Sequence, residues 1–266
     1  METSMLWIII SVIFLILFIP MVISVIEPRM PEFTTIKLND KDPSLRILFF
    51  SDVHVDMCFV PAEYICARIR EASKTGLDAV VFGGDVSGDP AKIDKGIVYM
   101  RKIADCCASL NIPFLGVTGN HDTDMTDGQA AACGFISLEG SSYELGDFVF
   151  TGVDDSGREE RHWFDPLPVP TDKINIFVAH TPDAILHVSD ASHIRYMLSG
   201  HIHGGQIRTP IGFEFKLRKT DVLLAQGIFN GVHTVGNTKI FISRGIGCVK
   251  MPLRLGSRPE VSIVEL

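Results

Sequence analysis

Basic residues are the scarce kind in this chain. Only 24 Lys and Arg stand against 32 Asp and Glu, a formal net charge of −8 over 266 residues. A surface without a basic excess gives nucleic acid no electrostatic footprint, so that class of partner is excluded first. Missing too is any C-x-x-C spacing among the six cysteines, Cys58, Cys66, Cys106, Cys107, Cys133 and Cys248. They read as core or surface thiols in a reducing compartment, not as a zinc or disulfide framework. No internal repeat or low-complexity block interrupts residues 46–266, which favours one large domain with a well-filled core. Long hydrophobic runs are absent, with one exception.

That exception is residues 6–26, uncharged and almost wholly apolar. About 20 such residues cross the hydrocarbon core as a helix, and Pro20 is tolerable within one. No Lys or Arg precedes the run and no A-x-A-like site follows it, so a retained anchor is expected in place of a cleaved signal peptide. Arg29, Lys37, Lys41 and Arg46 all follow it. The positive-inside rule then puts the large domain on the cytoplasmic side of the inner membrane, with a single pass. The expected layout is an anchor at 1–26, a linker rich in Pro and charge at 27–45 with an edge strand near 34–38, and a folded domain at 46–266.

From Arg46 the pattern is strand, helix, strand, helix, strand. Ile47-Leu48-Phe49-Phe50 is a continuous apolar run, as expected of a strand buried on both faces. A helix is predicted over 61–74, a strand over 77–82, a helix over 91–110 and a strand over 112–117. In the second helix Ile93, Ile97, Met100, Ile103 and Cys107 make an apolar stripe. This βαβαβ order implies a parallel sheet with right-handed crossovers. Shorter segments follow near 136–139, 142–145, 148–153, 174–179, 196–198, 231–235, 239–243 and 261–264. They predict a second, mixed sheet packed on the first. Residues 154–170, with Trp163 and Phe164, read as a polar loop long enough to be functional.

Chemistry-bearing residues stand where these strands end: Asp52-Val53-His54, Gly83-Gly84-Asp85, Gly119-Asn120-His121-Asp122, His180, and Gly200-His201-Ile202-His203-Gly204-Gly205-Gln206. Strand ends of a parallel sheet meet at one edge, the usual place for a ligand site. Asp52 and His54 are expected to leave their strand on one face, and His201 and His203 to share one side of an extended run, because residues i and i+2 of a strand point the same way. Asp, His and Asn side chains gathered so can hold two borderline divalent metals.

In this order the motifs resemble the calcineurin-like metallophosphoesterases over roughly residues 46–266. The resemblance implies an α/β (α+β) fold of two mixed β-sheets packed as a sandwich, with helices outside. It also implies two divalent ions, Mn, Fe or Zn, one held by Asp52, His54, Asp85 and His203 and the other by Asp85, Asn120, His180 and His201. Asp85 would bridge them. His121, which has no metal assigned, would be the general acid for the leaving oxygen, with Asp122 nearby to orient or charge it. His162, His187, His193 and His233 match no motif and read as structural or surface residues.

Two features narrow the expectation. Protein phosphatases of the superfamily carry Asp-Arg-Gly and Gly-Asn-His-Glu. Here Asp85 is followed by Val86-Ser87-Gly88-Asp89, and the later motif ends in Asp122. The tail, Ser243-Arg244-Gly245-Ile246-Gly247 and Pro252-Leu253-Arg254-Leu255-Gly256-Ser257-Arg258-Pro259-Glu260, is similar to a bacterial membrane-associated branch that includes UDP-2,3-diacylglucosamine pyrophosphatases of lipid A synthesis, of chlamydial type. That likeness implies a phosphorylated, lipid-linked nucleotide as substrate at the membrane. Met57-Cys58-Phe59-Val60 reads either as an apolar lip for acyl chains or bilayer, or as the hydrophobic lead-in to a helix. Arg244, Arg254 and Arg258 either meet a pyrophosphate or fix the C-terminal segment by salt bridges.

Overall fold

Alternation inside the first apolar run decides the architecture. In a computed structural model describing residues 2–39, 43–155, 172–209, 212 and 221–266, all four residues of that run are buried. Ile47 and Phe49 join one hydrophobic cluster, while Leu48 and Phe50 join another. A strand with period 2 buries both faces only if layers lie on both sides.

The strand concerned is β2 (Arg46–Phe50), central in a six-stranded sheet of order β1-β12-β2-β3-β4-β5. Its neighbours are β3 (Ala79–Phe82), β4 (Phe114–Gly116) and β5 (Ile136–Ser137), all parallel. On its other side β12 (Glu260–Glu265) runs antiparallel to β2 and parallel to β1 (Glu32–Lys37), the expected edge strand. The second six-stranded sheet has the order β10-β11-β9-β8-β7-β6. In chain order it comprises β6 (Ser142–Leu145), β7 (Phe148–Val153), β8 (Ile174–Ala179), β9 (Ile194–Ser199), β10 (Gly231–Val235) and β11 (Thr238–Ile242). Its edges, β6 and β10, pair antiparallel with their neighbours, and the four inner strands are parallel. Both sheets are mixed, as the resemblance implies; the segments near 136–139 and 261–264, expected in the second sheet, instead join the first as β5 and β12, and the antiparallel β12 is what makes that sheet mixed.

Between them lies a cluster of Phe49, Val81, Leu115, Phe150, Val178, Leu198 and Phe241. Helices α2 (Ala62–Ser73) and α3 (Ile93–Ser109) cover the outer face of the first sheet through Ile65, Ile69, Met100 and Ile103. Beyond β4 a short helix α4 (Asp127–Ala132) starts from a Thr126–Gln129 capping box. Among the described residues, the outer face of the second sheet is covered by a 3-10 segment at Pro182–Leu186 and a short helix at Val222–Ala225. The sequence pattern flags neither, because each is little more than one turn long.

The N-terminal helix α1 (Glu2–Ile26) contains Pro20 and leads into a 3-10 turn at Glu27–Arg29. Within its segment Met5–Arg29 an 18-residue window has a mean hydropathy of 3.1 and is only 6% buried, so the helix is long and apolar enough to cross a membrane. Residues 156–170 of the polar loop, with His162, Trp163 and Phe164, lie outside the described residues.

Candidate metal centre

The strands that lead to Asp52, Asp85 and His201 each stop just short of the ligand, and there the chain turns left-handed. Asp52 (φ 54°), His54 (φ 40°), Asp85 (φ 64°), His201 (φ 69°) and His203 (φ 54°) all have positive φ. The sequence reading had these pairs extended; the correction is physical. Side chains two apart on a strand stand parallel, about 7 Å apart, and cannot converge on one ion. A left-handed residue reverses the chain locally and aims each ligand at a common point. Such conformations cost non-glycine residues of order 1–3 kcal/mol and collect at functional sites.

Two glycines make the convergence possible. A Cβ on Gly84 would lie 2.8 Å from both Gly119 N and His180 Nδ1, and one on Gly200 would lie 2.5 Å from Asp52 Oδ2. Neither position admits a side chain.

All seven predicted ligands come together. Asp85 Oδ2 lies 3.2 Å from His54 Nε2 and 3.2 Å from His180 Nε2. His203 Nε2 lies 3.3 Å from Asp52 Oδ1 and 3.2 Å from His54 Nε2. His201 Nδ1 stands 2.9 Å from Asn120 Oδ1 and 3.3 Å from His180 Nε2. The side chains thus form two groups that share Asp85. Donor atoms bound at about 2.0–2.2 Å to one ion sit roughly 3.0–3.5 Å from each other, which is the spacing found.

Charge points the same way. Burial acts to lower His180, yet Asp85 and then Asp52 hold its pKa well above the ordinary value; His54 is likewise raised. Burial acts to raise Asp85, but His180 and His54 hold it well below the carboxylate range. The carboxylates call for positive charge at this point, and divalent ions would supply it.

The histidine rings are also oriented from behind. His180 Nδ1 is 2.7 Å from the Gly83 carbonyl, which can only accept, so Nδ1 carries the proton and Nε2 faces the centre. His201 turns Nδ1 to the centre and Nε2 toward Asp221 Oδ1, 3.8 Å away. His203 Nδ1 lies 3.3 Å from Arg254 Nη2.

His121 stands half-buried at the rim, its ring centroid 5.0 Å from that of His54 and its N–H donating to Asp85 Oδ1 at 2.9 Å. Asp122, expected as a partner for His121, has a carboxylate that staples two ligand loops. Oδ2 accepts from Asp85 N (2.8 Å) and Gly119 N (2.9 Å), and Oδ1 from Val86 N (2.8 Å). Burial, then the Asp85 charge, push this carboxyl up to about 7, against the pull of the N–H donors.

The three tail arginines turn to structure. Arg254 is fully buried and donates to the carbonyls of Arg244, Gly245, Gly247 and Ser257. Arg244 pairs with Glu32 and Glu260, and Arg258 with Glu32. The 57–60 segment packs at the foot of α1, where the Arg29 guanidinium lies 3.9 Å from the Phe59 ring centroid. His187 and His193 are exposed, and His233 sits 2.9 Å from its own loop carbonyl at Asn230.

Sequence reasoning missed Asp155 and Asp221. Asp155 is buried, accepts from the Thr181 hydroxyl and groups with His180 and His201. A signal for it existed, since it follows β7 as Asp52 follows β2; assigning it to the polar loop hid that. Asp221 had none.

Comparison with known proteins agrees with this geometry. A family model described as calcineurin-like phosphoesterase matches residues 45–205. The chain is 30% identical to the uncharacterized protein YpbG of Bacillus subtilis, over 86% of this chain and 83% of that one. It is 28% identical to the uncharacterized metallophosphoesterase YkuE of the same organism, over 91% and 87%. With the phosphodiesterase YaeI of Escherichia coli the identity is 26%, over 86% and 84%.

Proposed function

The chain belongs to the calcineurin-like phosphoesterases, and from that premise we propose that it hydrolyses a phosphodiester or pyrophosphate bond with two divalent ions. The substrate we propose is UDP-2,3-diacylglucosamine, giving 2,3-diacylglucosamine 1-phosphate and UMP. The observation that carries the reaction class is Asp85 Oδ2 standing 3.2 Å from His54 Nε2 and from His180 Nε2, midway between two donor groups.

Asp52, His54, Asp85 and His203 would hold one ion, and Asp85, Asn120, His180 and His201 the other. When bound, such a pair supplies Lewis-acid charge to phosphate oxygens and lowers the pKa of water. Everything else falls to the chain. Asp122 fixes the Asp85 and Asn120 loops relative to each other. Gly83 O and Asp221 hold the rings of His180 and His201. His121, at the rim, gives a proton to the departing oxygen.

The substrate proposal leans on the apolar helix, which we read as a single-pass anchor in the inner membrane with the domain on the cytoplasmic side, and on the tail motifs. YaeI's description as a phosphodiesterase favours a second reading, a general membrane-associated phosphodiesterase. A non-catalytic tethered binding module finds no support, because the ligand set and His121 are all present. The test compares UMP release from UDP-2,3-diacylglucosamine with hydrolysis of bis-p-nitrophenyl phosphate, in detergent with Mn, using His121→Ala as control. Preferential, His121-dependent UMP release supports the substrate. Turnover of the generic diester alone discards it and keeps the reaction class.

A further inference from the structure

Helix α1 does not end in a loose tether. Ser24, in its last turn, is buried and its carbonyl accepts from Arg254 N at 3.0 Å. Pro28 is buried in the turn that follows, and Glu27 accepts from Ser257 N at 3.4 Å. Glu32 then takes Arg244 on one oxygen (2.6 Å) and Arg258 on the other (2.9 Å). Arg258 Nε also donates to the Met30 carbonyl at 2.9 Å. The foot of the helix is therefore part of the folded domain, and cutting the chain after it would strip Arg254 N of its acceptor.

From that junction to the metal centre is a single residue. The backbone of Arg254 meets the helix, and its guanidinium lies 3.3 Å from Nδ1 of His203. Around the junction the surface continues the apolar face of α1. Ile26, Met30 and Met251 are 47%, 44% and 49% exposed, with Phe59 half-buried beneath Arg29. Arg29 and Lys250 are exposed among them. Exposed apolar side chains with cations beside them, at the foot of a membrane-length helix, fit the interface of a bilayer with anionic headgroups.

We propose that this collar lies against the membrane surface, so that Arg254 holds the metal centre at a fixed height beside the headgroups, where it takes phosphate carried on a membrane-embedded lipid. The inference rests on reading α1 as a retained anchor and the centre as a phosphoesterase site. A flexible tether would let the domain stand away from the bilayer; a built-in foot keeps the centre within reach of phosphates at the interface, while soluble diesters still arrive by diffusion.

The experiment uses the full chain in vesicles of phosphatidylcholine and phosphatidylglycerol. Fluorophores are placed by Met30→Cys and Met251→Cys, and as controls by Val98→Cys on α3 and Val232→Cys on β10. Burial pushes the thiols of Cys58, Cys66, Cys107 and Cys133 up to about 12, which leaves them slow to label. Lipids with a quencher in the headgroup region should quench the two collar sites several-fold more than the controls. Equal quenching at all four sites, or protection of the collar by a protein partner and not by vesicles, overturns the proposal. A second arm uses Met30→Asp with Met251→Asp. Turnover of vesicle-borne lipid phosphate should fall while bis-p-nitrophenyl phosphate turnover holds, and loss of neither also overturns it. If the parent protein hydrolyses neither substrate yet the collar is selectively quenched, the phosphoesterase reading fails and the docked surface stands.

Discussion

Removing the Asp122 carboxylate separates two accounts of that residue. As a staple it accepts from three backbone N–H groups, of Asp85, Val86 and Gly119, in a site where it is 3% exposed. Asp122→Ala leaves all three donors without an acceptor. An orphaned buried N–H costs about 1–3 kcal/mol, so the loss for three lies between about 3 and 9 kcal/mol; water entering the vacated space favours the lower end. For a chain of this size each kcal/mol lowers Tm by about 2–4 °C, which puts the expected fall at roughly 6–12 °C. Asp122→Asn retains one oxygen, keeps the Asp85 and Gly119 bonds, and turns its amide donor on Val86 N–H. It should lose about half as much. The assay is thermal unfolding of the metal-free full-length protein in detergent, followed by calorimetric titration with Mn. The order should be parent, Asn, Ala in Tm, with weaker metal binding in both variants. If Asp122 acted only through His121, kcat would drop while metal-free Tm and metal affinity stayed at parental values, and that result would refute the staple.

Asp85→Ala removes the oxygen shared by both donor groups, so metal content should fall and metal-dependent turnover drop to background; full retained activity would sink the bridging assignment. His121→Ala should lower kcat about 10²- to 10⁴-fold with metal content unchanged, and loss of metal in that variant would argue for a ligand in place of an acid. Asp221→Ala frees the back of the His201 ring, which should weaken one of the two binding events in a calorimetric titration by about 10- to 100-fold. Two parental binding events in that variant would show that the 3.8 Å approach does not orient the ring.

Much of this was legible in the sequence, for a reason visible at β2. A run such as Ile47-Leu48-Phe49-Phe50 can satisfy both its faces only inside a layered structure, and the structure buries all four. The ligand residues were legible as types at strand ends. Their conformation was not, because positive φ is usually read from glycine, and here Asp52, His54, Asp85, His201 and His203 adopt it themselves. For Arg254 two roles stood open, meeting a phosphate or fixing the C-terminal segment; the turn at 244–247 and Ser257 present carbonyls that take a buried donor, which favours the second. No spacing in the sequence reveals those carbonyls.

The distribution of ligands over the two sheets has a consequence for stability. Asp52, His54, Asp85 and Asn120 follow strands of the first sheet, and His180, His201 and His203 follow β8 and β9 of the second. Under the proposed assignment each ion draws ligands from both sheets: His203 joins the first group across the seam, and His180 with His201 join the second. Metal binding would then act as a cross-link between two layers otherwise held by the apolar cluster of Phe49, Phe150 and Phe241. Free metal at 100 times its Kd adds about 2.7 kcal/mol to folding stability when only the native state binds. Without ions, and against the effect of burial, Asp85 and Asp52 raise the pKa of His180 and His54, so histidines stand in for the positive charge that metal would bring. Under that assignment the seam would be the part of the fold most dependent on metal, and it is the part that Arg254 links to the foot of α1.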